Sequence, residues 1–136
     1  MKPTEVLTTE QRDAVLRRSD RKAWTAVMGT WMLTLTTLML VGHFPSIATL
    51  ALAWIVLPGR QLSLAVLMHE AGHGSLFKTR ALNRWVGQWL CALPVLSDFD
   101  AYARGHQAHH RLAGTAEDPD LPNYHAYPIS KASLKR

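Results

Sequence analysis

Cysteine is almost missing from this chain of 136 residues. Cys91 stands alone, so no disulfide closes within the chain and a thiolate metal site has too few ligands. Beside Leu90 and Leu93 it reads as a small apolar residue. Charge is missing from a long stretch: no Asp, Glu, Lys or Arg occurs from Ala23 through Gly59. A soluble domain of this size rarely leaves such a stretch uncharged, so the apolar residues are concentrated for a bilayer. There is no internal repeat and no phosphate-cradling glycine loop; Gly72-His73-Gly74 lacks the strand-to-helix context of one. A cleaved signal peptide is excluded too, because the apolar run begins only after a long charged segment and exceeds a signal core.

What charge there is has a direction. The net charge is +5, but the basic residues flank the apolar stretch instead of lining an aromatic-studded face. That arrangement suits anionic lipid headgroups and argues against a nucleic-acid partner. Residues 1–22 are polar, and Thr8 with Gln11 three residues later forms a capping box that opens a short helix through about Ser19. Arg17, Arg18, Arg21 and Lys22 then crowd the membrane edge, which places this end in the cytosol.

Residues 23–42 approach the ~20 needed to span a hydrocarbon core. Gly42-His43-Phe44-Pro45 breaks the helix. A second apolar helix, residues 46–68, returns towards the cytosol, with a kink expected at Pro58-Gly59 and Arg60 able to snorkel. Its extension carries His69 and His73. Lys78, Arg80 and Arg84 follow with the sign of the cytosolic side. Residues 82–95 carry Trp85 and Trp89 on one helix face, as in an interfacial or re-entrant helix. The expected fold is an all-α membrane protein: a transmembrane helical hairpin whose cytosolic extensions carry histidines, within an incomplete bundle.

Five of the seven histidines lie in two clusters, His69-Glu70-Ala71-Gly72-His73 and His106-Gln107-Ala108-His109-His110. Residues four apart on a helix share a face, so His69 and His73 can address one metal ion, and His106, His109 and His110 cover another single face. Seven histidines placed at random would form such a triplet in only about 2% of arrangements, so the pattern carries weight that the pair alone does not. Neutral imidazole binds iron, zinc, copper or nickel. His69-Glu70-Ala71-Gly72-His73 also fits the zinc-hydrolase pattern with Glu70 as general base, which makes a zinc-dependent membrane metalloprotease the alternative. One catalytic zinc has no use for five histidines, however, and two metal ions suit the count better. Glu70, Asp118 and Asp120 are candidates to hold the outer ring nitrogens; Asp118-Pro119-Asp120 reads equally well as a solvated turn. His43 lies at the opposite membrane face, and His125 sits in a loop.

The run His69-Glu-Ala-Gly-His73-Gly-Ser-Leu-Phe, then Arg104-Gly-His106-Gln-Ala-His109-His110-Arg, then Gly114-Thr-Ala-Glu-Asp118-Pro-Asp120 resembles the membrane fatty acid desaturases and their hydroxylase relatives. The likeness covers residues 33–127 and includes the 33-residue step from His73 to His106. It implies two iron ions in a non-haem centre, ligated by His69, His73, His106, His109 and His110. O₂ would be co-substrate, a lipid acyl chain the substrate, and a ferredoxin or cytochrome b5 type protein the electron donor. Residues 23–136 would form part of the membrane domain, with the histidine boxes facing the cytosol of a multi-pass protein. The resemblance also implies a third histidine box after further membrane helices. Nothing after His110 matches it, so the chain is expected to be an N-terminal part of such an enzyme, inactive alone.

Overall fold

The computed structural model describes residues 7–129 and Ser133. Residues 1–6 of the N-terminal segment and most of the basic tail 129–136 lie outside the described residues. Among the described residues there are helices and turns but no strand.

Helix α1 spans Thr9–Val15 and opens on the expected capping box: Thr8 Oγ1 accepts from Gln11 N at 3.2 Å, and Gln11 Oε1 from Thr8 N at 2.9 Å. It stops short of Ser19. Ser19 adopts an extended backbone (φ −137°, ψ 108°) and caps the next helix through Lys22 N, which is incompatible with continuing α1.

Helix α2 spans Asp20–His43 and α3 spans Ile47–Gly72. Pro45 restricts the residue before it, and Phe44 leaves the helical region (φ −130°, ψ 63°). Ser46 and Thr49 then restart the chain with a second capping box. Pro58 sits inside α3 and the chain stays helical through it. At the position of the expected kink, Pro58 has no N–H to give to the carbonyl of Trp54, so one helical hydrogen bond is missing. Both helices are long and apolar enough to cross a membrane, and little of either apolar stretch is buried inside the protein, 17% for the first and 11% for the second. Trp54 and Ile47 are 82% and 88% exposed. The threonines of α2 bond to their own helix, Thr34 to Thr30 O and Thr37 to Leu33 O.

The buried core lies at one end of this pair. Ala23 and Val27 of α2 meet Leu67, Met68 and Ala71 of α3, together with Phe77, Val86, Cys91, Ala92 and Phe99. Trp24 packs edge-on against Phe77 with centroids 5.2 Å apart, and Asp20 Oδ1 accepts from Lys78 N at 2.8 Å. The start of α2 and the end of α3 therefore share one end of the hairpin. Buried Asn83 holds the intervening loop, accepting from Phe77 N and donating to the Phe77 and Thr79 carbonyls.

Residues 82–95 do not form one uniform helix. Helix α4 runs Arg80–Val86, widens into a π-helical stretch at Gly87–Ala92, and tightens to a 3₁₀ turn at Leu93–Val95. Two causes are visible. Pro94 has no N–H to return to the Leu90 carbonyl, which instead accepts from Trp31 Nε1 of α2 at 3.0 Å. At Gly87 a Cβ would lie 2.4 Å from Phe99 Cε2, so the aromatic ring occupies the place of a side chain. Trp85 and Trp89 are each about half exposed, 52% and 55%. Helix α5, Phe99–Leu112, is capped by Asp98 Oδ1 through Ala101 N. It is tied to α4 by the Arg84–Asp100 ion pair at 2.6 Å. A short helix α6, Leu121–Tyr124, follows the turn.

Candidate metal centre

Helix α3 ends where the first histidine pair needs it to end. Gly74 takes a left-handed backbone (φ +68°); its N–H bonds to Ala71 O at 2.9 Å and the Ser75 N–H to Glu70 O at 3.0 Å. This is a Schellman turn with His73 as the capping residue. At the last residue of the helix, Gly72 packs 3.6 Å from Ala103 Cβ by its own notional Cβ, so α3 and α5 approach closely. Gln107 Nε2 donates to the Gly72 carbonyl at 3.3 Å, clasping the two ends.

That approach brings the clusters together. His106 Nε2 lies 3.0 Å from His73 Nε2 and 3.0 Å from His110 Nε2. His69 packs beside them, edge-on to His73 and tilted against His106, its centroid 4.3 Å from that of His106 and 4.6 Å from that of His73. Candidate ligand atoms of His69, His73 and His106 all lie within 4.8 Å of one another. Tyr102, four residues before His106, stacks parallel to it (interplanar 5°, centroids 5.5 Å), and its hydroxyl sits 3.1 Å from His69 Nδ1.

His109 stands at the edge, its centroid 6.2 Å from His106 and 5.7 Å from His110. Its Nδ1 lies 2.8 Å from Oδ1 of the buried Asp118 carboxylate and 3.6 Å from Asp120 Oδ2. Tyr124 donates its hydroxyl hydrogen to Asp118 Oδ2, and the Asp120 N–H bonds to Asp118 Oδ1 at 2.9 Å. Glu70 lies elsewhere: its Oε2 accepts from Ser75 Oγ at 2.6 Å and makes no hydrogen bond to a histidine among the described residues. His43 bonds to the Met39 carbonyl at the far end of the hairpin, and His125 to the carbonyls of its own turn.

The electrostatics divide the same way. His73 is pushed below its ordinary value by desolvation and by His69 and His110, against a smaller opposing pull from Glu70. His106 is lowered by desolvation and by its four histidine neighbours. His109 is raised by its hydrogen bond to Asp118. Burial would raise the Asp118 carboxyl, but the bonds from Tyr124, His109 and the Asp120 N–H outweigh it and hold the group down at about 2.

Neutral imidazoles are the form a metal ion requires. Nitrogens bound side by side at ~2.1 Å from one ion stand roughly 3 Å apart, the separation of the His73–His106 pair and of the His106–His110 pair. The donor set fits a borderline transition metal.

The fatty acid desaturase family model matches residues 45–136, more than half of the chain, and takes in both histidine clusters. The chain belongs to the fatty acid desaturase family. It is 31% identical over 78 residues to the sn-1 acyl-lipid omega-3 desaturase (ferredoxin) of Synechocystis, covering 57% of this chain and 20% of that protein. It is 32% identical over 98 residues to the zeaxanthin 4-ketolase of Chlamydomonas reinhardtii, covering 70% of this chain and 22% of the relative. No solved structure matches it. The chain thus spans about a fifth of the length of these desaturase-family relatives.

Sequence spacing had not marked two residues of this desaturase-family site. Tyr102 carries a usable signal, since it precedes His106 by one helical turn and shares its face. Tyr124 carries none: it reaches Asp118 only because the turn after α5 folds back.

Proposed function

We propose that this desaturase-family chain forms part of a membrane-bound, O₂-dependent oxidoreductase acting on a lipid acyl chain by desaturation or hydroxylation. The observation that carries the reading is the convergence of His69, His73 and His106 on one spot at the end of an apolar hairpin, with His110 against His106. In this proposal α2 and α3 cross the bilayer and the stretch 82–95 rests at its surface. The exposed Trp85, Trp89, Leu93 and Leu96 face the headgroup boundary there. The basic residues before α2 hold that end in the cytosol, and the shared end of the hairpin brings the histidines to the same side.

The five histidines would hold a non-haem di-iron centre, with Asp118 and Asp120 orienting His109. When bound, such a centre supplies the O₂ activation needed to remove hydrogen from an unactivated methylene. The chain's own contribution is placement. An open apolar groove of about 860 Å³ lies between α2 and α3, lined by Gly29, Leu33, Leu62 and Val66 among others and ending at Leu67, two residues before His69. It offers an acyl chain a wall that leads towards the histidines. The site opens to the aqueous side, where an electron donor of the ferredoxin or cytochrome b5 type would dock. Asp118 accepts the Nδ1 proton of His109 and so presents the opposite nitrogen inward.

Anaerobic reconstitution of the detergent-solubilised chain with iron(II) and zinc(II), followed by counting bound metal, tests the proposal. Iron retained in stoichiometric amount, and lost in His69→Ala and His106→Ala, is the expected result. Stoichiometric zinc with peptide-bond hydrolysis abolished by Glu70→Gln would overturn it.

A further inference from the structure

The hydrogen bonds around Asp118 have a direction that can be read without seeing a proton. The Gly114 N–H can only donate, and it points at Tyr124 Oη at 3.2 Å. The single hydroxyl hydrogen of Tyr124 is then free to go to Asp118 Oδ2, an ionised carboxylate that can only accept. The Asp120 N–H donates to Asp118 Oδ1. With both oxygens already held, Asp118 has one orientation, and in it Oδ1 and Oδ2 lie 2.8 Å and 3.1 Å from His109 Nδ1. In its neutral form His109 must therefore carry its hydrogen on Nδ1, leaving Nε2 as the bare nitrogen.

We propose that Tyr124 is a positioning residue: through Asp118 it locks His109 in the Nδ1–H tautomer. The relay runs from the Gly114 N–H through the Tyr124 hydroxyl and the Asp118 carboxylate to the imidazole. Its first three groups lie outside both histidine clusters, and it deepens the metal-site reading above, on which its use for metal binding rests. Tyr124 also meets the His109 ring edge-on with centroids 6.4 Å apart, so the hydroxyl and the ring restrain the same side chain in two ways. Without the hydroxyl, Asp118 Oδ2 loses its donor and the carboxylate is held only at Oδ1, by the Asp120 N–H. The imidazole is then held less firmly in one tautomer.

Nitrogen-15 NMR of the metal-free, histidine-labelled chain in alkaline buffer reads the tautomer directly, with His109→Gln assigning the signal. The expected result is a predominantly Nδ1–H ring in the unaltered chain and a mixture in Tyr124→Phe, with the signals of His69 and His73 unmoved. Cobalt(II) affinity should fall by about tenfold in Tyr124→Phe, the lower end of what outer partners of a ligand contribute. Asp118→Asn, which replaces the acceptor and leaves Tyr124 in place, should shift the tautomer at least as far. An Nε2–H ring in the unaltered chain, or an Nδ1–H share untouched by both substitutions, would overturn the proposal. Because the NMR measurement needs no metal, it decides this point even if the chain binds none.

Discussion

The two halves of the histidine constellation are stabilised by opposite means. His69, His73, His106 and His110 have mainly one another for neighbours, with Tyr102 against His69 and His106. Bringing them together lowers the proton affinity of His73 and His106. His109, one residue from His110, is wired into a carboxylate with its own donors and has its proton affinity raised. The first group is a crowd of imidazoles whose ring nitrogens approach one another to about 3 Å. The second is a finished local network whose product is an oriented ring. A metal site needs both kinds of construction, because ligands must be crowded and their directions must also be set.

Removing the hub of the first group should have the largest effect. His106 touches both His73 and His110 through Nε2, so His106→Ala should weaken cobalt(II) binding by more than about 100-fold, beyond the usual range for outer partners. Titration followed by the visible absorption of bound cobalt checks this. An unchanged affinity would mean that the cluster is packing and not a site.

The second group should show a middling loss. Asp118→Asn keeps shape but removes the charge that orients His109, and the expected loss is roughly 10–100-fold in the same titration. A loss equal to that of His106→Ala would erase the distinction between crowding and orientation.

The smallest effect is expected at Glu70. Its carboxylate is engaged by Ser75 and makes no hydrogen bond to a histidine among the described residues, so Glu70→Gln should change metal affinity by no more than about twofold, in line with a surface polar substitution. A large loss here would move the site towards the zinc-hydrolase arrangement.

Much of the scaffold was legible from local rules. The capping box at Thr8 and Gln11, the helix break at Phe44-Pro45 and the shared face of His106 and His110 all depend on residues within a turn of one another. The parts that were not legible depend on distant ones. Helix α1 ends early because Ser19 serves α2, and the stretch 82–95 changes its winding because of Pro94 and because Phe99, from another helix, fills the space beside Gly87. Glu70 sits next to His69 in sequence yet turns to Ser75, since the Schellman turn folds that hydroxyl back onto it. Asp118 could be named as a partner for histidine, but Tyr124 could not, because no periodicity connects a turn residue to a histidine it reaches through a second side chain.

The contact between Gly87 and Phe99 makes α5 a lever with its fulcrum at the π-helical stretch. A methyl group at residue 87 would overlap the ring, 2.4 Å from Cε2, and relieving that overlap needs a displacement of roughly 1 Å. Phe99 is the first residue of α5 and His106 lies two turns along it, about 10 Å away at 1.5 Å per residue. A stiff helix carries such a displacement with it, while metal–ligand distances tolerate only about 0.2 Å. The alignment of the imidazoles is thus gauged by a position that touches none of them.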